Sequence, residues 1–142
     1  MKTPQSGLKI ANERHTDSAS IYFIDNIAIV EIMQHTILGK TVMSPILDAI
    51  EDQYKDLSNI HYVSNRTEAY SLKPVELKEL KPRIDLFKSY SVILYGQSGK
   101  TNLDFERMFL NKPIIKYQNL EEAILAAKIK DGIKPELFRD QE

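Results

Sequence analysis

The segment Gly96-Gln-Ser-Gly-Lys-Thr101 lies between an apolar strand and an amphipathic helix and ends in the Gly-Lys-Thr of a nucleotide-phosphate loop. A loop that wraps a phosphate needs a four-residue spacer before its Gly-Lys-Thr, so that enough backbone N–H groups converge. Only Gln97 and Ser98 intervene here, and the position that should carry the first glycine is Leu94. Two readings survive. The helix N-terminus and Lys100 hold a phosphate or carboxylate by dipole and charge, or Gly96, Ser98, Gly99, Lys100 and Thr101 form a glycine-rich turn and cap.

The other chemistry-bearing residues are dispersed. His15, His35 and His61 are far apart, and none has a second histidine at helical spacing, so no metal site is expected. His61 falls in a strand and reads as a satisfied sheet histidine; proton transfer there would need a carboxylate that the sequence does not identify. Glu31 shares a strand face with Ile27, Ile29 and Met33, which places it at a sheet edge, snorkelling to solvent, or facing a pocket. Tyr62, Tyr70, Tyr95 and Tyr117 fall at or near strand ends, where such rings complete the core or line a pocket or partner surface. Asn65, Arg66, Thr67, Tyr70 and Ser71 fall in one polar connection after a strand. Thr67 and Ser71 are phosphorylation candidates there, and equally cap residues. No set supplies nucleophile, base and oxyanion donors at a recognisable spacing, so no catalytic residue and no cofactor is expected.

The elements that must position these residues follow from periodicity. Ile21–Ile24 and Ile27–Met33 flank Asp25-Asn26, a pair that tolerates the positive φ of a tight hairpin turn. Val42, Ile46, Ile50, Tyr54 and Leu57 recur at helical spacing, with Ser44 as N-cap and Pro45 at the first helical position. A strand at Ile60–Ser64 follows. Pro74–Lys88 reads as a helix that Pro82 kinks or breaks in two. A strand at Ser91–Tyr95 leads to a helix ending near Leu110, with Thr101-Asn-Leu-Asp104 as its capping box. Pro113–Tyr117 reads as the last strand, and Asn119 caps a last helix that Gly132 stops. The expected fold is a single α/β domain: a mixed, mostly parallel sheet opened by a β-hairpin, with about four helices. Residues 1–19 are a polar lead-in or an added edge strand, 20–132 the domain, and 133–142 a tail.

Composition narrows the function. At 142 residues and 42% hydrophobic content, one domain can bury roughly two thirds of its unfolded surface without a metal or disulfide. With 19 basic against 20 acidic residues, no global field draws the chain to nucleic acid or an anionic membrane. The absence of cysteine removes disulfides, thiolate zinc sites and thiol nucleophiles. The opening Met1–Gly7 lacks the apolar core of a signal peptide, and no apolar run approaches the roughly 18 to 20 residues of a membrane span. A cytoplasmic location is expected.

The hairpin, the order of elements and the closing Phe109-Leu-Asn-Lys-Pro-Ile-Ile-Lys-Tyr-Gln-Asn-Leu-Glu-Glu-Ala-Ile124 resemble STAS-like domains, the family of sulfate transporters and anti-sigma-factor antagonists. The resemblance covers about residues 20 to 130. It implies a non-enzymatic module that binds protein partners, in some members a kinase-like anti-sigma factor, under control of a phosphorylated serine. Here Ser64-Asn-Arg-Thr-Glu-Ala-Tyr-Ser-Leu-Lys-Pro74 corresponds to the regulated stretch but lacks its Asp-Ser pair, leaving Thr67 and Ser71 as the nearest hydroxyls. Two functions are therefore expected: protein binding through Asn65–Ser71 and the Gly96–Thr101 turn, or binding of an anion, nucleotide or lipid near Gly96, Lys100 and the tyrosines. An uncovered sheet edge or helix face also leaves room for a homodimer.

Overall fold

The structure, a computed structural model, describes residues 10–96 and 99–132. A six-stranded sheet organises it. In sheet order these strands are β1 (Asn12–His15), β2 (Ala19–Ile24), β3 (Ile27–Ile32), β5 (His61–Arg66), β7 (Ser89–Leu94) and β8 (Ile114–Tyr117). The first three pair antiparallel; β3, β5, β7 and β8 run parallel. A second, two-stranded parallel sheet joins β4 (Ile37–Leu38) to β6 (Ser71–Leu72). The helices are α1 (Lys40–Tyr54), α2 (Pro74–Glu79), α3 (Lys81–Ile84), α4 (Lys100–Leu110) and α5 (Leu120–Lys130), with a 3₁₀ turn at Leu57–Asn59. The mixed α/β domain expected from the sequence is present. No helix among the described residues is long and apolar enough to cross a membrane.

Strand alternation divides the core into two layers. On one face Ile21, Phe23, Val30, Tyr62, Val92 and Ile114 pack against Met43, Ile46, Leu47 and Ile50 of α1, Leu77 of α2, Ile84 of α3, and Leu103 and Leu110 of α4. On the other, Tyr22, Ile27, Ile29, Val63 and Ile93 meet Leu120, Ala123, Ile124 and Ala127 of α5. The first four helices thus share one face. Only α5 packs on the other among the described elements.

The β2–β3 turn forms where Asp25-Asn26 stands, with Asp25 at φ 49°. It is also pinned from outside, because the Tyr54 hydroxyl donates to the Asp25 carbonyl at 2.6 Å and Lys128 Nζ reaches Asp25 Oδ2 at 2.5 Å. Pro82 does divide its segment, into α2 and α3. Asn119 caps α5, its side chain accepting from the Glu122 N–H at 2.9 Å.

Several boundaries are corrected. Strand order begins at Asn12, ahead of Ser20, so the added edge strand holds for that part of the lead-in. Helix α1 starts at Lys40, with Gly39 as N-cap and Pro45 inside, because a side chain from α2 supplies the cap: Glu76 Oε1 accepts from the Lys40 N–H at 2.9 Å. Likewise α4 starts at Lys100 behind Gly99, which has φ 88° and makes no side-chain cap bond, so the Thr101–Asp104 capping box does not form. Asn65 and Arg66, read as loop, are the last residues of β5, and Ser71 belongs to β6. His61 is a satisfied sheet histidine, and the carboxylate beside it is Asp131 of the α5 C-terminus.

Candidate functional site

In a parallel sheet, loops at the carboxyl ends of the strands carry most binding chemistry. Here those ends gather the β3–α1, β5–α2 and β7–α4 connections, and with them most residues singled out in the sequence. Alternation in β5 sends Asn65 to the α5 face and Arg66 to the α1–α4 face. Each is engaged differently.

On the α5 face a row of hydrogen bonds crosses three strands. The Tyr95 hydroxyl donates to Asn65 Oδ1 at 2.7 Å, and Asn65 Nδ2 donates to Glu31 Oε2 at 2.8 Å. Burial, and then the nearby Glu31 carboxylate, raise the Tyr95 phenol's pKa, which keeps it a neutral donor. Beside this row a cavity of about 300 Å³ opens between Ser20, Glu31, Met33, Thr67 and Glu68. Glu31 therefore faces a pocket, one of the three alternatives its alternation allowed.

On the opposite face Arg66 lies buried in an aromatic and acidic setting. Its Nη2 donates to Glu106 Oε2 at 2.7 Å, its Nε donates to Ser64 Oγ at 3.1 Å, and its guanidinium carbon stands 5.5 Å from the centre of the Tyr70 ring. Tyr90 approaches the same carboxylate at 3.5 Å and stacks on Tyr62 with ring centres 4.6 Å apart. Burial opposes the Arg66 charge, but Tyr70 and Glu106 hold its pKa above the ordinary arginine value. Burial also pushes the Glu106 carboxyl up, against Arg66 and Tyr90, which draw it down. Arg66 Nη1 is buried and has no hydrogen-bond partner among the described residues. A cavity of about 90 Å³ adjoins the pair, lined by Arg66, Tyr70, Tyr95, Gly99 and Asn102.

The rim above both faces is exposed. Thr67, Ala69 and Ser71 follow β5, and Gly96, Lys100 and Thr101 follow β7. Ser98, also singled out in the sequence, lies outside the described residues. The small β4–β6 sheet ties Thr36–Leu38 to Ser71–Lys73: the Ser71 N–H donates to the Thr36 carbonyl at 3.0 Å, and the Lys73 N–H to the Leu38 carbonyl at 2.9 Å. Ile37 of this ridge is 55% exposed, and Met33, before β4, and Val75, in the first turn of α2, are 56% and 70% exposed.

Glu106, Tyr90 and Asn102 went unrecognised in the sequence. The one available signal for Glu106 is its position on the helical stripe of Leu103 and Leu110, where a charge is out of place. Among the described residues no three histidine, aspartate or glutamate side chains converge as a metal site. No family model matches this chain, and no curated protein matches it.

Proposed function

We propose that the protein is a STAS-like interaction module that acts in the cytoplasm through a protein partner bound, without catalysis, at the carboxyl end of its sheet. One observation carries the proposal. The polar side chains at the strand ends are paired with one another, Arg66 with Glu106 and Tyr95 with Asn65 and Glu31, while Ile37 of the β4–β6 ridge and its sequence neighbours Met33, before β4, and Val75, after β6, are exposed. Apolar anchors on and beside a braced ridge, rimmed by Thr67, Lys100 and Thr101, suit a protein surface better than a reacting substrate. A regulatory kinase or sigma-factor system is the partner class that the family resemblance implies. Phosphorylation of Thr67 or Ser71 would add roughly −1.5 to −2 charges beside Glu68 and weaken docking there. Among the described residues β8 is an edge strand, and it offers a second copy of the chain a strand to pair with.

Affinity capture from the native host tests this, with wild-type protein against a Thr67→Ala, Ser71→Glu variant. The variant should lose a partner that the wild type retains. An unchanged partner set would count against this loop as the docking surface.

A second reading rests on the 90 Å³ cavity, where, among the described residues, Arg66 Nη1 has no hydrogen-bond partner and no side chain caps the α4 N-terminus. A small anion would be its ligand. A thermal-shift screen of phosphates, nucleotides and fatty acids, joined to native mass spectrometry, separates the readings. Stabilisation by an anion that Arg66→Met abolishes favours the ligand, and no shift removes it.

A further inference from the structure

At the opposite, amino end of the sheet three side chains stand in a hydrogen-bonded row. Ser89 opens β7 and His61 opens β5, directly opposite each other in register. The Ser89 Oγ is 2.6 Å from His61 Nδ1, and His61 Nε2 is 2.9 Å from Oδ1 of Asp131, just past the last turn of α5. Asp131 is fixed in turn: Asn26 Nδ2 donates to its Oδ2 at 2.9 Å and Lys88 Nζ to its Oδ1 at 2.5 Å.

The partners assign the imidazole tautomer. Burial works against the Asp131 charge, but hydrogen bonds from Lys88, Asn26 and His61 outweigh it and hold the carboxyl well below the usual range. An ionised carboxylate only accepts, so Nε2 carries a proton, and in the neutral form of the ring Nδ1 accepts from the Ser89 hydroxyl. Nucleophile, base and orienting carboxylate then stand in order. Unlike His61, which is fully buried, Ser89 is partly exposed. It borders a cavity of about 40 Å³ between α5 and the β7–β8 edge, walled by Val63, Tyr117, Ala126, Ala127 and Lys130.

We propose that Ser89, with His61 as general base and Asp131 as its positioning residue, is a nucleophile that accepts acetyl-sized acyl groups from esters. The Ser89 Oγ attacks the ester carbonyl while its proton passes to His61 Nδ1. The new Oγ–C bond forms as the bond from the carbonyl carbon to the leaving oxygen breaks, and that oxygen takes the proton back from His61. Water then attacks the acyl-serine, giving one proton to His61; a carboxylic acid leaves and the proton returns to Ser89. Lys130 provides a cation on the cavity wall for the developing oxyanion. The small size of the cavity, about 40 Å³, favours short acyl chains.

The test is p-nitrophenyl acetate added to the full-length protein, with the adduct located by tandem mass spectrometry. An acetyl group should form on Ser89 roughly 100-fold faster than on the same chain unfolded in urea, and His61→Gln should remove a similar factor. Ser89→Ala should abolish it. The butyrate ester should react at least about tenfold more slowly, the usual cost of surplus methylenes in a tight pocket. Absence of an adduct on Ser89, or formation as fast on the unfolded chain, would overturn the proposal. The folded-against-unfolded comparison decides even if His61→Gln does not fold.

Discussion

Arg66, the last residue of β5, and Glu106, midway along α4, form an ion pair at 2.7 Å in which both side chains are almost wholly buried. The pair joins the sheet to the helix whose N-terminus borders the 90 Å³ cavity. A buried charge stripped of its partner is costly, whereas replacing both partners by apolar side chains is often neutral. Arg66→Met alone, or Glu106→Leu alone, should therefore destabilise the protein by about 3–5 kcal/mol. The double variant should recover most of that loss. Urea unfolding of the four proteins measures the coupling, and additive losses would show that the two residues stabilise the fold independently.

Asp131 makes stability depend on pH. Its folded pKa is depressed, so the stability it contributes is fully present above its unfolded value, about 3.9, and disappears as pH falls through the folded value. Wild type should lose stability progressively below about pH 5. Asp131→Asn should be less stable at neutral pH and should show a shallower loss on the acid side. Thermal unfolding between neutral and strongly acidic pH records both curves, and parallel curves would remove Asp131 from the account.

Gly39 and Glu76 form a cap across two helices. A Cβ on Gly39 would overlap Glu76 Oε1, the atom that accepts from the Lys40 N–H. Gly39→Ala should push the carboxylate off the α1 N-terminus and lower Tm. Glu76→Ala should lower it too, and the double variant should fall little further, because one hydrogen bond is lost in either case. Tm values from calorimetry that drop additively would contradict the shared cap.

This cap also explains which features could be read from the chain in advance. Local signals were legible: the Asp25-Asn26 turn, the break at Pro82 and the Asn119 cap each rest on residues within a few positions. The start of α1 was not, because its capping carboxylate lies 36 positions away in sequence, on another helix. Ser44 and Pro45 look locally like a helix start, and tertiary capping overrides them. The candidate site divides the same way. Proximity along the chain groups Asn65 with Arg66, but the two-residue period of β5 parts them, and what each meets is set by strands and helices far away: Glu31 and Tyr95 for one, Glu106 for the other. His61 was readable as a strand residue, whereas its carboxylate, 70 positions on, depends on where α5 comes to rest.

The claim that this is a binding module working from the carboxyl end of its sheet is tested most directly by site-specific photo-crosslinking in the native host. A photoreactive residue at Ile37 or Thr67 samples the proposed surface, and one at Ser58, in the exposed 3₁₀ turn before β5, samples the amino end. The account predicts that Ile37 and Thr67 trap one common protein and Ser58 does not. Adducts absent from both carboxyl-end positions, or equally abundant from Ser58, would contradict it.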